Sequence, residues 1–180
     1  GAPSGGGIVV LTALNVLECF QLSQLAPNSA RTYHLIAEAM KFAHHNRSKY
    51  VGDPSFSDIP YDMLLSKKLA CKKAKEINLT EASSPKKTAR TGNKINDSYK
   101  ESKDTTHYSI VDKEGNAVSV TYTLGYSFGS GVTIPGTGIL TNNQMNNFAH
   151  NYEITDSYYR SSSPANKLEP LKRPMSTMTP

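Results

Sequence analysis

The chain has 180 residues, of which 37% are hydrophobic and 19% charged, with a net charge of +5 and a pI near 9.1. That is enough apolar content for a core, yet no apolar run approaches the roughly 18–20 residues that a membrane-spanning helix needs. The positive charge is concentrated in one helical segment (Lys67, Lys68, Lys72, Lys73, Lys75) and in the stretch before Thr105 (Lys86, Lys87, Arg90, Lys94, Lys100, Lys103); without interleaved aromatics, zinc-ligand spacing or an RNP-like run, this pattern reads as a solvated face plus a basic tail and leaves nucleic-acid binding a minor alternative.

In chain order, the Gly/Pro-rich start Gly1–Gly7 carries neither an initiator Met nor a secretory pattern, and the chain reads as a piece of a longer protein. A Gly-rich loop opening a helix can cradle phosphate, but the Gly-Lys-Ser/Thr ending is missing, so packing against a neighbouring segment is expected instead. Ile8, Leu11, Leu14 and Leu17 recur at helical spacing and predict an amphipathic first helix. Asn28 or Ser29 caps a second, whose expected core stripe is Tyr33, Ile36, Ala37, Met40 and Ala43, with Glu38, Lys41 and His45 elsewhere. The adjacent His44 and His45 point about 100° apart on a helix and do not suit a shared metal, for which a spacing of four is preferred. Gly52-Asp53-Pro54 breaks the pattern, and Leu65 and Leu69 begin a third helix running toward Ile77. Cys19 and Cys71 sit within helical patterns, and buried free thiols are the favoured reading over a disulfide. Sequons at Asn46, Asn78 and Asn96 carry little weight.

From Glu81 to Asp104 the chain is nearly devoid of apolar residues and cannot offset the entropy of ordering itself; a flexible linker is expected, a favourable place for a cut. The period then changes to two. Residues 106–112 and 117–124, separated by the turn signal Lys113-Glu114-Gly115-Asn116, predict a hairpin with Val118, Val120, Tyr122 and Leu124 on one face. Folding it about the turn sets Thr123 opposite Thr105 or Thr106. The amide-rich Asn142–Asn147 run at the end of a short strand suits hydrogen bonding to a polar ligand or a turn.

The stretch Asp104-Thr105-Thr106-His107-Tyr108-Ser109, together with Gly115, Thr123, Asn142-Asn143-Gln144-Met145 and Arg173-Pro174-Met175-Ser176-Thr177-Met178, resembles the γ-glutamyltranspeptidase family. Pro3-Ser4-Gly5-Gly6, Ala37-Glu38-Ala39-Met40-Lys41 and Tyr50-Val51-Gly52-Asp53-Pro54 extend the resemblance over nearly the whole chain. It implies an α+β fold, the middle portion of the four-layer αββα sandwich of N-terminal-nucleophile hydrolases. Residues 1–80 would be the helical end of the large subunit, 81–104 the basic linker ending at the self-cleavage site, and 105–180 the start of the small, catalytic subunit.

The implied activity is that of a self-processing threonine amidohydrolase or acyltransferase, with no cofactor and no metal. Thr105 would attack the carbonyl of Asp104, become a new N-terminus, and then take the acyl group of a small γ-glutamyl or glutaryl amide for transfer to water or an amine. A terminal threonine needs no His-Asp pair, because its own α-amine, with a reference pKa of about 7.7–8.0, can serve as base; no Gly-x-Ser-x-Gly elbow supports a serine triad around His107. Carried over by position, Thr123 bonds the nucleophile, Gln144 helps hold the substrate's α-amino group, and Ser176 and Thr177 hold its α-carboxylate. Gly125 and Asn147 stand where the family usually has a substrate-binding asparagine and an aspartate that pairs with the α-ammonium, while Thr177 stands where a second serine is common. Losing that aspartate predicts weaker discrimination for γ-glutamyl groups, as in cephalosporin acylases. A non-catalytic, uncleaved homologue is the alternative. The resemblance further implies partner segments of the same precursor, oxyanion-hole glycines beyond Pro180, a carboxylate-gripping arginine before Gly1, an inactive fragment, and a periplasmic or extracellular location.

Overall fold

A computed structural model describes residues 2–83, 105–149 and 163–179. Helix α1 spans Gly6–Leu17, α2 Ala30–Tyr50, α3 Tyr61–Leu64 and α4 Lys67–Glu76. Strands β1 (Thr105–Val111) and β2 (Ala117–Thr123) form one antiparallel hairpin. Among the described residues three 3-10 turns, Leu22–Gln24, Gln144–Asn147 and Pro164–Asn166, interrupt the connecting segments. The class is α+β, as expected. Among the described residues no helix is long and apolar enough to cross a membrane.

The helix starts follow local chemistry. Ser29 Oγ accepts from Thr32 N–H at 3.2 Å, and Ser66 Oγ accepts from Leu69 N–H at 3.2 Å, so each hydroxyl satisfies one of the first-turn amides that lack an intrahelical partner. Asn28 adopts φ 60° just before the first of these caps, a conformation that asparagine tolerates better than most residues.

Which faces are buried departs from expectation. Helix α1 buries Ile8, Val9, Thr12, Ala13 and Val16, whereas Leu11 and Leu14 are more than half exposed (51% and 54%). In α2 the buried line is Leu35, Ala39, Ala43 and Arg47, a four-residue ridge, while Tyr33, Ile36 and Ala37 face outward. Glu38, expected off the core stripe, is buried. The reason lies in the partners. Helix α1 packs between α2 and α4, and the alanines 13, 39, 43, 70 and 74 let the backbones approach closely, with Val9, Val16, Leu35 and Ile77 filling the remainder. Each larger side chain in this cluster contributes about 1.5–3 kcal/mol on burial. The lysines of α4 remain on its outer side, with Lys67, Lys68, Lys72 and Lys75 exposed.

The free-thiol reading of Cys19 and Cys71 is overturned. The two are joined in a disulfide with Cα atoms 5.5 Å apart, across 52 residues of sequence. The packing of α1 beside α4 brings the exit of one helix against the other, a proximity that neither local helical pattern contains. Asn46 is buried, so its sequon is closed to modification in the folded chain. Asn78 is exposed, and its side-chain oxygen accepts from Thr80 N–H and Oγ at 2.9 Å each. Asn96 lies outside the described residues.

A second apolar cluster, Ile8, Val51, Ile59, Leu64 and Met175, joins the helical part to the C-terminal segment. Of the expected linker, Ser83 is tied to the buried Glu38: its N–H and hydroxyl donate to the carboxylate at 3.0 and 2.5 Å, and Lys41 bonds the same group. Burial raises the Glu38 pKa, but these hydrogen bonds from Lys41 and Ser83 outweigh it and the net shift is downward. Positions 84–104, including Asp104, lie outside the described residues.

Candidate functional site

The hairpin turn fixes the register on which the site depends. Asp112 Oδ1 accepts from Glu114 N–H at 3.0 Å and Asn116 N–H at 2.8 Å, and Gly115 takes φ +85°, which a side chain would resist. The ladder that follows pairs Thr105 with Thr123, His107 with Thr121 and Ser109 with Ser119, and these six side chains share one face by the two-residue period. The opposite face carries Tyr108, Ile110, Val118 and Tyr122, all exposed. On the polar face His107 Nδ1 lies 2.7 Å from Thr121 Oγ1 and Nε2 lies 3.2 Å from Ser109 Oγ, so the imidazole braces hydroxyls of its own sheet. Its contacts among the described residues are hydroxyls.

Beyond β2 the chain turns at Gly125. Its N–H donates to Thr123 Oγ1 at 2.9 Å, its φ is +97°, and a β-carbon there would come within 1.8 Å of Asn143 Oδ1. Asn143 fastens the turn, its N–H donating to the Leu124 carbonyl at 2.9 Å and its Oδ1 accepting from Tyr126 N–H at 3.2 Å. This brings Gln144 to Gly125, with Nε2 3.6 Å from the Cβ position, and Asn147 Nδ2 donates to Gln144 Oε1. The two amides expected to meet a substrate therefore hold each other at the exit of the strand that carries Thr123.

Ser176 and Thr177 arrive from the far end of the chain. The Gly5 N–H donates to the Ser176 carbonyl at 2.8 Å, and the Ser176 N–H donates to the Pro3 carbonyl at 3.2 Å. The hydroxyls of Ser4 and Ser176 are 2.8 Å apart, and Ser4 Oγ also donates to the Met178 carbonyl at 2.6 Å. Gly6 can only be glycine, because a β-carbon would lie 2.6 Å from the Met178 carbonyl oxygen and 2.7 Å from that of Thr177. Beneath this loop, Arg47 packs its stem against Gly5 and is 98% buried; burial pushes its pKa down to about 10, so it remains a cation at neutral pH. The segment ends against the hairpin, where Thr121 Oγ1 donates to the Thr179 carbonyl at 3.4 Å. The polar face bearing Thr105 and Thr123 is thus the face that Thr179, two residues beyond Thr177, reaches.

Three residues not among the expected site residues hold this arrangement. Asp53, expected in a helix break and in the family-like Tyr50–Pro54 stretch, accepts from Arg173 at its backbone N–H (2.9 Å), Nε (3.0 Å) and Nη2 (2.7 Å). Those bonds from Arg173, reinforced by Ser55 N–H, hold the Asp53 carboxyl far below the usual carboxylate range. Asn166, fully buried, donates to the Asn147 carbonyl at 2.7 Å and accepts from Met175 N–H at 2.9 Å, linking the two halves of the expected substrate site. Gly52 lets the α2 exit lie on this turn, since a β-carbon would fall 2.1 Å from the Ala165 carbonyl oxygen. Among the described residues no group of three or more His, Cys, Asp or Glu side chains is placed to hold a metal.

The sequence profile described as gamma-glutamyltranspeptidase matches residues 1–180. The chain is 42% identical over 178 residues to the glutathione hydrolase proenzyme of Escherichia coli (strain K12), covering 99% of this chain and 30% of that protein. It is 37% identical over 146 residues to the acylase ACY 1 proenzyme of Pseudomonas sp. (strain SE83), covering 81% of this chain and 25% of the relative. Among solved structures, the cephalosporin acylase of Bacillus halodurans superposes with a TM-score of 0.69 at 30% identity, over 98% of this chain and 28% of the acylase chain. The chain therefore spans less than a third of the length of these relatives.

Proposed function

The chain belongs to the γ-glutamyltranspeptidase family, and from that premise we propose that it is the middle of a self-processing threonine amidohydrolase that cuts itself before Thr105 and then deacylates γ-glutamyl or glutaryl amides. One observation carries the reading: Thr105 opens β1 directly across the ladder from Thr123, on the polar face that Thr179 reaches at the end of the Ser176–Thr179 segment.

In the first step the Thr105 hydroxyl adds to the Asp104 carbonyl, the acyl chain moves from nitrogen to oxygen, and water hydrolyses the ester to leave a free α-amine. That amine then takes the proton of the Thr105 hydroxyl as it attacks a substrate amide, and returns a proton to the departing amine. Thr123 assists by orientation. Its oxygen already accepts from Gly125 N–H, so its hydroxyl proton can be directed at Thr105. Gln144 and Asn147 meet the α-amino group, Gly125 borders them, and Ser176 and Thr177 meet the α-carboxylate.

Residues 1–80 belong on this reading to the large subunit, 81–104 to the linker and 105–180 to the small subunit, the two subunits remaining as a heterodimer. The exposed apolar face of the hairpin supports further strands of the same precursor packing on it. The Cys19–Cys71 disulfide supports a periplasmic or extracellular location. Asn147 lacks the charge that would pair with an α-ammonium, which favours tolerance of glutaryl groups; similarity to acylases agrees with this.

The test is the N-terminal sequence and intact mass of the purified full-length gene product. A new terminus at Thr105, lost in Thr105→Ala, is the expected result. An uncut chain without activity after prolonged incubation would instead make it an arrested or non-catalytic homologue.

A further inference from the structure

The segment from Lys167 to Thr179 contains no helix or strand, and the local support of the Ser176 hydroxyl is a bond of 3.3 Å from the Met178 N–H. Its long-range bonds come from elsewhere in the chain, and the strongest is an ion pair. Arg173 gives three donors to a single carboxylate, one of them its own backbone N–H, so Asp53 grips the main chain as well as the guanidinium. The anchor is firm: Asp53 is 1% exposed, its Oδ1 accepts from Ser55 N–H, and the residue before it lies against the Ala165 carbonyl. Downstream the same strand of chain is held at Met175 by Asn166 and at Ser176 by Pro3, Ser4 and Gly5. The Arg173 side chain is itself 58% exposed, which is unusual for a group so fully bonded to a buried carboxylate.

We propose that the Asp53–Arg173 pair is a positioning clamp that sets the Ser176 and Thr177 hydroxyls for the substrate carboxylate, and that after cleavage before Thr105 it acts across the two subunits. The inference rests on the reading above, in which those hydroxyls bind that carboxylate. Asp53 lies upstream of the cut and Arg173 downstream, so the bond that begins as an intrachain contact becomes a contact between separate polypeptides. It gives the large subunit a direct part in substrate selection: a carboxylate on one chain orients the carboxylate site of the other. Arg173 and Asp53 are positioning residues, since neither needs to touch substrate.

The experiment uses the full-length, self-processed protein and two chromogenic anilides: glutaryl p-nitroanilide, and pentanoyl p-nitroanilide, which has the same chain length with a methyl in place of the carboxylate. Wild type is expected to favour the glutaryl compound in kcat/KM. Asp53→Asn and Arg173→Gln should raise the glutaryl KM by about ten- to a hundredfold and collapse the glutaryl-to-pentanoyl ratio, because the lost alignment matters only to the substrate with a carboxylate. Arg173→Lys, which keeps the charge and the backbone donor, should recover part of the ratio. If Asp53→Asn yields no processed enzyme, Arg173→Gln carries the test, its side chain being the exposed partner. Variants that lose thermal stability but keep the wild-type ratio would overturn the clamp and leave a stability contact. A wild-type enzyme that processes itself yet shows no glutaryl preference would overturn the assignment of Ser176 and Thr177, and the clamp with it.

Discussion

Removing the Cys19–Cys71 bond should cost the full-length protein several kilocalories. Replacing both residues by alanine opens a covalent loop spanning 52 residues. In the chain-entropy treatment, closing a loop of that length removes about 14 cal/mol/K from the unfolded chain, or about 4 kcal/mol at 25 °C. The native side adds little to oppose it. Helices α1 and α4 already meet through Val9, Ala13, Val16, Ala70, Ala74 and Ile77, and both cysteines are only half-buried at the margin of that cluster. The double variant should therefore fold, bind and cleave as before, but unfold at lower urea. Non-reducing peptide maps establish the bond, and urea titrations of wild type, reduced wild type and the double variant measure its effect. The reduced wild type and the variant should coincide. Alkylation of both cysteines in unreduced, folded protein from an oxidising host would refute the pairing, and unchanged urea midpoints would refute the entropic account.

Asn147→Asp should restore a carboxylate beside Gln144 and raise the γ-glutamyl-to-glutaryl preference by about ten- to a hundredfold, the equivalent of one charge-assisted contact of about 1.5–3 kcal/mol; paired anilide kinetics measure it. Gly125→Asn should fail to recreate a family-like substrate contact and should lower stability, because φ is +97° and the new β-carbon would meet Asn143 Oδ1; circular dichroism melts and the γ-glutamyl KM report both effects. Acid stability should depend on Asp53. Its folded pKa is depressed below the unfolded value, so its contribution is fully present above the unfolded value of about 4 and is lost as pH falls from there toward the depressed folded pKa. Asp53→Asn should therefore flatten the stability profile below about pH 4 and leave its shape above pH 5 unchanged, as read by urea midpoints across that range.

The parts legible in the sequence are those that nearest neighbours decide. Ser29 caps α2 because a hydroxyl three residues before an amide reaches it whatever the rest of the molecule does. The Asp112–Asn116 turn is likewise self-contained, and once it is set the period of two carries the register to Thr105 and Thr123 without further information. The choice of buried face was not legible. Helix α1 carries Ile8, Val9, Val10, Leu11, Leu14, Val16 and Leu17, too many apolar positions for the period to select a stripe, and the neighbours α2 and α4 made the selection by offering alanines. In α2 the buried residues include Glu38 and Arg47, which an apolar-periodicity rule discards and which only their tertiary surroundings explain.

The candidate site divides along the same line. Sequence by itself determined the family-like threonine, the hairpin that faces it with a second threonine, and the residue types available to meet an amino acid-like substrate. Tertiary structure alone decided that Thr179, at the end of the segment carrying Ser176 and Thr177, comes to that hairpin, that Asn166 ties the segment to Asn147, that Asp53 grips Arg173, and that Cys19 meets Cys71. The physical reason is range: caps, turns and ladders are set by contacts a few residues apart, whereas these bonds close loops of 19 to 120 residues, apart from the Asn166–Met175 link. Their partners become neighbours only when the helices have packed.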